Sequence, residues 1–380
     1  MEKLFYQDPE IKEFTAVVTG CQRAETGWEV TLDATAFYPT GGGQACDLGT
    51  LGNATVLDVS ERGEKIIHLC DASVEVGSTV TGRIDWEHRF DLMQQHTGEH
   101  IVSGIIHKLY GHQNSGFHVG EELMEVDFDG PLPEGALEEI QRLANEAVWA
   151  DIPVNCYVPS PEELPGVFYR TKRSHPWPVR IVEIPGVDSC ACCGIHTKRT
   201  AQVGLIYIFS CVKFHQGVRL EMACGKRALE RLHKLCLQNR QVSQILSARP
   251  LETGAAAQQM KDALAGEKYR AAGLESRIFE NIAQGYAGQK TAICFEENLE
   301  PAAVRQLAEK IAQKAELAGV FSQKDGKYNL CLAGEPEQVK AVGTALSQTL
   351  GARGGGKPGF WQGSVTATEE QIKMLLAENG

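Results

Sequence analysis

The chain holds 380 residues, 43% of them hydrophobic and 23% charged, with a formal net charge of −12. These values describe a soluble globular protein with room for two or three separately packed domains, and the acidic balance excludes a protein that coats nucleic acid by bulk charge alone. No run of about 18 apolar residues occurs, so no membrane span is expected. The start, MEKLFYQDPE, lacks the apolar core of a secretion signal, and the 12 scattered cysteines read as reduced thiols of a cytoplasmic protein.

Residues 1–85 read as a small β domain. Trp28, Val30 and Leu32 alternate with polar residues as a half-buried strand requires. The stretch TAFYPTGGGQ, residues 35–44, follows, and its three glycines fit either a tight turn or a backbone that a partner approaches closely. Strand-like runs follow at residues 54–59, 65–69 and 78–84.

Residues 86–224 carry the chemistry. A helix is predicted from about Trp86 to Tyr110, with Phe90, Met93, Ile101, Val102, Ile105, Ile106 and Leu109 around His96 and His100. Positions i and i+4 stack on one helical face, so both imidazoles can reach one metal ion. Buried together without such a partner, two neutral imidazoles would need other hydrogen-bonding groups. Loop and strand signals occupy residues 111–130, and an amphipathic helix is predicted over residues 133–150. The basic run YRTKRSHPWPVR, residues 169–180, holds Arg170, Lys172, Arg173 and Arg180 among three aromatic or imidazole rings. It reads equally as a solvated loop or as a phosphate-contacting surface. Then comes DSCACCGIHTKRT, in which Cys192 and His196 repeat the i, i+4 spacing. Two histidines plus a Cys/His pair suit zinc; Cys190 and Cys193 compete with Cys192 for the sulfur position.

Residues 225–288 read as a helical hairpin too polar for a core, broken at Pro250. Residues 289–380 read as an α/β unit: strand TAICF, a helix over 301–318, strand NLCLAG, a helix over 337–350, then ARGGGKPGFWQGS and a last helix opened by a Thr368/Gln371 capping box. GGGKP lacks the spacing of a phosphate-binding P-loop. The expected class is therefore α+β, with a β-barrel-like first domain.

HTGEH is formally the inverted zincin pattern, with Glu99 as general base. That makes a metallopeptidase one alternative. A binding protein with a structural zinc is another.

FYPTGGGQ, HTGEH and CCGIH, in that order over about residues 25–225, resemble the editing domain of alanyl-tRNA synthetase and its free-standing AlaX-type relatives. The final unit resembles the DHHA1 domain that ends alanyl-tRNA synthetase. The resemblance implies a zinc-dependent hydrolase that deacylates tRNA(Ala) mischarged with serine or glycine. It implies one Zn2+ on His96, His100, Cys192 and His196, and it favours Cys192 as the sulfur ligand. Gly41, Gly42, Gly43 and Gln44 match the glycine-rich motif near the aminoacyl end, and Thr35 or Thr40 is the candidate hydroxyl for serine. Gln44, Asn114 and Glu99 are the candidate catalytic residues, and Arg170 and Arg180 become candidate phosphate contacts. Gly354 to Lys357 would lie near tRNA or a partner subunit, with a homodimer through the hairpin and the DHHA1-like unit. The chain departs from the family pattern at three places. Glu99 stands where threonine is common, Asn114 where a glutamine is expected, and CCGIH replaces CGGTH.

Overall fold

The computed structural model describes residues 1–171 and 178–379. The chain divides into two compact units, Met1–Gln241 and Val242–Gly380. Among the described residues no helix is long and apolar enough to cross a membrane.

The first unit begins with β1 (Glu2–Lys3) and a one-turn helix α1 (Leu4–Gln7). The strands β2 (Glu13–Ala24), β3 (Gly27–Leu32), β4 (Ala34–Thr35), β5 (Gly49–Leu51), β6 (Ala54–Arg62), β7 (Lys65–Cys70) and β8 (Thr79–Ile84) follow. Six of them close a barrel in the order β2-β3-β7-β6-β5-β8, while β1 pairs in parallel with β4 beside it. Alternation puts Val18, Val30, Leu32, Leu51, Val56, Val59 and Ile66 inside. The strand β2 lies before the strand runs expected from Trp28 onward and is not among them, because its run EFTAVVTGCQRA alternates in its first half only.

The helix α2 (Trp86–Tyr110) follows the barrel directly. The Asp85 side chain accepts from the His88 backbone N–H at its start, and Gly111, at φ 74°, caps its end. Nearly every residue from Leu92 to Ile106 is buried, which removes the usual one-sided apolar stripe. One buried ion pair fixes its first turns to the barrel. Arg89 and Asp47 are both 0% exposed, and the guanidinium donates to both Asp47 oxygens and to the carbonyls of Ala36 and Ile11. The Asp47 carboxylate also accepts from the Tyr38 backbone N–H.

Next come β9 (Asn114–Val119), β10 (Met124–Phe128), α3 (Ala136–Trp149), β11 (Asn155–Tyr157), β12 (Ile181–Ile184), β13 (Asp188–Ala191), β14 (Ile206–Phe214) and β15 (Gly217–Cys224). One antiparallel sheet has the order β14-β15-β10-β9, and a smaller one has the order β11-β12-β13. Ile101, Val102, Ile105 and Ile106 of α2 share a core with Ile140, Ala144 and Val148 of α3 and with Met124, Val126, Leu220 and Met222 of the larger sheet. Each Val, Ile, Leu or Met among them contributes about 1.5–3 kcal/mol by burial. The approach of α2 to β13 depends on Gly104, where a Cβ would lie 2.4 Å from the Val187 carbonyl oxygen and 2.6 Å from the Asp188 Cβ. The helix α4 (Gly225–Ile245) leaves β15, and its first turns are tied back by Arg227 to Asp91 at 2.6 Å.

In the second unit, α5 (Thr253–Gln284) precedes β16 (Thr291–Glu297), α6 (Pro301–Ala312), β17 (Leu317–Lys324), β18 (Lys327–Gly334), α7 (Pro336–Leu350), β19 (Arg353–Gly355), β20 (Phe360–Val365) and α8 (Glu369–Asn379). The sheet order is β16-β17-β18-β20-β19, parallel only between β16 and β17. Ala318, Val320, Cys331 and Ala333 pack with α5 and α6 on one face, while Leu317, Phe321, Leu330 and Leu332 pack with α7 and α8 on the other. The helix expected over residues 301–318 stops at Ala312, and residues 317–318 begin a strand instead. LAGVF lies buried on both faces of the sheet, so it carries no alternation to oppose the helical propensity of its Ala and Leu. The FWQGSV strand within the glycine-rich stretch was also not expected. The Thr368/Gln371 capping box forms as read, with both reciprocal hydrogen bonds present.

Asp47→Ala leaves the Arg89 guanidinium buried without its carboxylate and is expected to cost about 3–5 kcal/mol in urea denaturation. Gly266→Ala serves as its counterpart. It adds a Cβ with nothing within 4 Å in the interior of α5 and is expected to stabilise by about 0.5–1 kcal/mol.

Candidate metal centre

The i, i+4 pair on α2 meets the loop after β13. His96, His100, Cys192 and His196 each offer one ligand atom, and these atoms all lie within 4.8 Å of one another. Cys192 Sγ lies 3.4 Å from His96 Nε2 and 3.5 Å from His196 Nε2. A tetrahedral zinc with ordinary Zn–N and Zn–S bonds separates its ligands by about 3.6 Å. The donor set of three imidazoles and one thiolate suits that ion.

The opposite edge of each ring is also engaged. His96 Nδ1 donates to Gln44 Oε1 at 2.8 Å and His100 Nδ1 to Asp188 Oδ2 at 2.9 Å, while His196 Nδ1 lies 3.4 Å from Thr97 Oγ1. The Thr97 oxygen in turn accepts from the Thr197 N–H at 3.0 Å. A proton on each Nδ1 leaves the Nε2 lone pair facing the cluster, the arrangement that orients metal-bound histidines. Gln44 is 1% exposed and its Oε1 also accepts from the Ile195 N–H, whereas its Nε2 has no hydrogen-bond partner among the described residues.

Asp188 is held on its far side by Arg170, which donates to Oδ1 at 2.7 Å and Oδ2 at 2.8 Å. Burial alone would raise the Asp188 carboxyl, but the hydrogen bonds from His100 and Arg170 outweigh it and bring it down to about 2. For Cys192, burial disfavours the thiolate, yet the charge of His96 and the contacts with His100 and His196 drive it well below the ordinary thiol value. His196 is lowered by burial and by its neighbour His96.

The backbone at Gly194 comes unusually close to the His96 ring. A Cβ on Gly194 would lie 2.1 Å from His96 Cε1, so only glycine lets this loop pass beside the ring. Arg180 holds the same loop from the other side, donating to the carbonyls of Cys192 and Gly194 at 2.9 and 2.8 Å while its guanidinium sits 4.7 Å from the Tyr6 ring centroid. A cavity of about 660 Å³ opens beside the cluster, with Gly42, Gly43, Glu99, Asn114, Phe117 and Arg180 in its lining.

The structure thus gathers eleven of the fourteen candidate site residues at the cluster or the cavity beside it: His96, His100, Cys192 and His196 in the cluster, Gln44 against His96, and Gly42, Gly43, Glu99, Asn114, Arg170 and Arg180 in the cavity lining. Arg170, however, is 7% exposed and committed to Asp188, so its guanidinium is not the open phosphate contact expected of it. Lys172, Arg173, His175 and Trp177 of the same basic run lie outside the described residues. Neither candidate threonine lines the cavity. Thr35 is buried beside the barrel with its Oγ1 2.9 Å from His68 Nε2, and the exposed Thr40 accepts from the Cys46 N–H at 3.2 Å. Gly41 is used in a turn, exchanging backbone hydrogen bonds with Gln44 at 3.0 Å. Asp188, Thr97, Ser103 and Phe117 were not anticipated; the acid four residues before Cys192 is the one signal that could have drawn attention to Asp188.

Asp188→Asn keeps the shape of the side chain but removes the charge facing His100. It is expected to weaken metal binding by about 10–100-fold, measured by competition against a chromogenic chelator. The depressed Asp188 carboxyl stabilises the fold above the ordinary aspartate range. That stability is expected to be lost as pH falls through about 4 towards about 2, in acid denaturation compared with the Asn variant.

The family described as tRNA synthetases class II (A) matches residues 4–88, and that described as Threonyl and Alanyl tRNA synthetase second additional domain matches residues 179–219. The Alanine--tRNA ligase of Ignicoccus hospitalis is 30% identical over 99% of this chain and 42% of its own length. Alanyl-tRNA editing protein AlaX-L of Pyrococcus horikoshii is 32% identical over 62% of this chain and 61% of its own. This chain therefore spans less than two thirds of either relative. Alanyl-tRNA editing protein Aarsd1 of Danio rerio is 26% identical over 98% of this chain and 96% of its own length. The C-Ala domain from Aquifex aeolicus alanyl-tRNA synthetase matches at 24% identity and a TM-score of 0.20, over 24% of this chain and 91% of that one, a superposition too loose to compare folds. With its ordered glycine-rich, HTGEH and CCGIH motifs converging on one centre, the chain belongs to the family of alanyl-tRNA synthetase editing domains and free-standing, AlaX-type alanyl-tRNA editing proteins.

Proposed function

We propose that the protein is a trans-editing hydrolase that removes serine, and secondarily glycine, from mischarged tRNA(Ala). The observation that carries this reading is the four-ligand cluster opening on a cavity with Gly42 and Gly43 at its edge. A relative matched along almost its whole length and named an alanyl-tRNA editing protein supports it. The need for such an enzyme is physical. A synthetic pocket shaped for alanine cannot strongly reject an isostere that adds a hydroxyl, nor the smaller glycine, so a second site must sort them.

The reaction is ester hydrolysis. The water oxygen bonds to the aminoacyl carbonyl carbon, the bond from that carbon to the ribose oxygen breaks, and a proton passes to the ribose oxygen. His96, His100, Cys192 and His196 would hold zinc, which would supply Lewis-acid polarisation where water or substrate takes the place of one of the four. The chain's own residues prepare the place. Gln44, Asp188 and Thr97 fix the three ring orientations. Arg180 and Tyr6 hold the loop at Cys192–Gly194, the tyrosine hydroxyl donating to the Cys193 carbonyl at 2.8 Å. Gly42 and Gly43 keep side chains out of the entrance, where the terminal ribose would enter. The second unit would serve tRNA binding and homodimer formation, with Met260, Leu264, Leu274 and Ile278 exposed along α5.

The test is amino acid release from Ser-tRNA(Ala), Gly-tRNA(Ala) and Ala-tRNA(Ala), with zinc and after chelation. Zinc-dependent release of serine about 100-fold or more faster than alanine is expected. Cys192→Ala, folded by circular dichroism, is expected to lose release together with metal. Folded, zinc-loaded protein that hydrolyses none of the three substrates would make the chain a binding module.

A further inference from the structure

In the cavity beside the cluster, two side-chain oxygens are left without a hydrogen-bond donor among the described residues. Glu99 is 5% exposed and precedes His100 on α2. Its Oε1 accepts from Ser103 Oγ at 2.5 Å and from Asn114 Nδ2. Its Oε2 receives no hydrogen bond among the described residues and lies 4.0 Å from His100 Nε2, the ring nitrogen that faces the cluster. Asn114 is 3% exposed. Because a carboxylate can only accept, the Asn114 amide must turn its nitrogen to Glu99, and its Oδ1 is then left buried with no partner. A bulge seats it there. β9 carries one extra residue, Ser115, opposite the step from Asp127 to Phe128, so Asn114 rather than Ser115 pairs with Phe128.

An unpaired carboxylate oxygen of the buried Glu99 and the buried amide oxygen of Asn114, both from residues lining one cavity, suit a ligand rich in donors and positively charged. A serine hydroxyl donates one hydrogen and is neutral. A primary ammonium donates three and cancels the charge of Glu99. We infer that Glu99 Oε2 and Asn114 Oδ1 form a receptor for the free α-ammonium of the aminoacyl ester, so that esters with an acylated amine are refused. This rests on the deacylase reading above and narrows its substrate class. It also gives the departures at Glu99 and Asn114 one shared purpose.

The experiment compares kcat/KM for Ser-tRNA(Ala) and N-acetyl-Ser-tRNA(Ala). Wild type is expected to prefer the free amine by about 10–100-fold, the range for losing a charged hydrogen bond and leaving its acceptor unpaired. In Glu99→Gln the preference is expected to collapse to within about threefold. A parallel fall on both substrates, with the ratio kept, would overturn the inference and assign Glu99 to the attacking water. Calorimetric binding of 3′-deoxy-3′-(serylamino)adenosine and its N-acetyl derivative to zinc-loaded wild type needs no turnover and no variant. Tighter binding of the free amine by about tenfold or more supports the receptor even if no tRNA is hydrolysed, an outcome that would defeat only the deacylase reading. Equal binding of the two analogues would overturn the receptor.

Discussion

The carboxylate of Asp188 carries more of this site than its size suggests. It accepts from His100 on one side and from Arg170 on the other. Both neighbours are buried, so none of the three can lose its partner cheaply. That contact sets the tautomer of His100, and the tautomer decides whether a lone pair or a proton faces Cys192. It is reached only because Gly104 lets the helix lie against the Val187–Asp188 backbone. One missing side chain on α2 thus becomes a ring orientation one turn earlier in the same helix.

The same logic extends outward from the other two rings. Gln44 reaches His96 from the loop between β4 and β5, so the barrel domain contributes a hydrogen bond to the centre as well as a wall. The Arg89–Asp47 pair locks the start of the central helix to that loop. The glycine-rich motif and the histidine motif are therefore one device, separated in sequence but joined by buried charge. Desolvating Arg89 and Asp47 is offset by a nearly complete set of hydrogen bonds, and the pair then tolerates little displacement.

Much of this was legible in the chain. The helix spanning residues 86–110 was readable because its apolar residues recur around two histidines at helical spacing. The cluster was readable from its two i, i+4 pairs except at the sulfur, where Cys190 and Cys193 competed and the family resemblance favoured Cys192. What was hidden were contacts that depend on the fold closing: Asp188 and Thr97 behind the rings, and Arg170 drawn inward from a run that looked like a basic surface. Thr35 shows the converse, a plausible substrate group in sequence that the barrel uses to satisfy His68. Strand β17 was misread because burial on both faces erases the alternation by which strands are recognised.

The central claim is that one metal is held by three imidazoles and the single sulfur of Cys192, and X-ray absorption at the zinc edge of the isolated protein tests it most directly. One zinc per chain is expected, with three nitrogen neighbours at about 2.0–2.1 Å and one sulfur at about 2.3 Å, the sulfur disappearing in Cys192→Ser. A shell with two sulfurs, bringing in Cys190 or Cys193, or a sulfur that survives loss of Cys192, would contradict it.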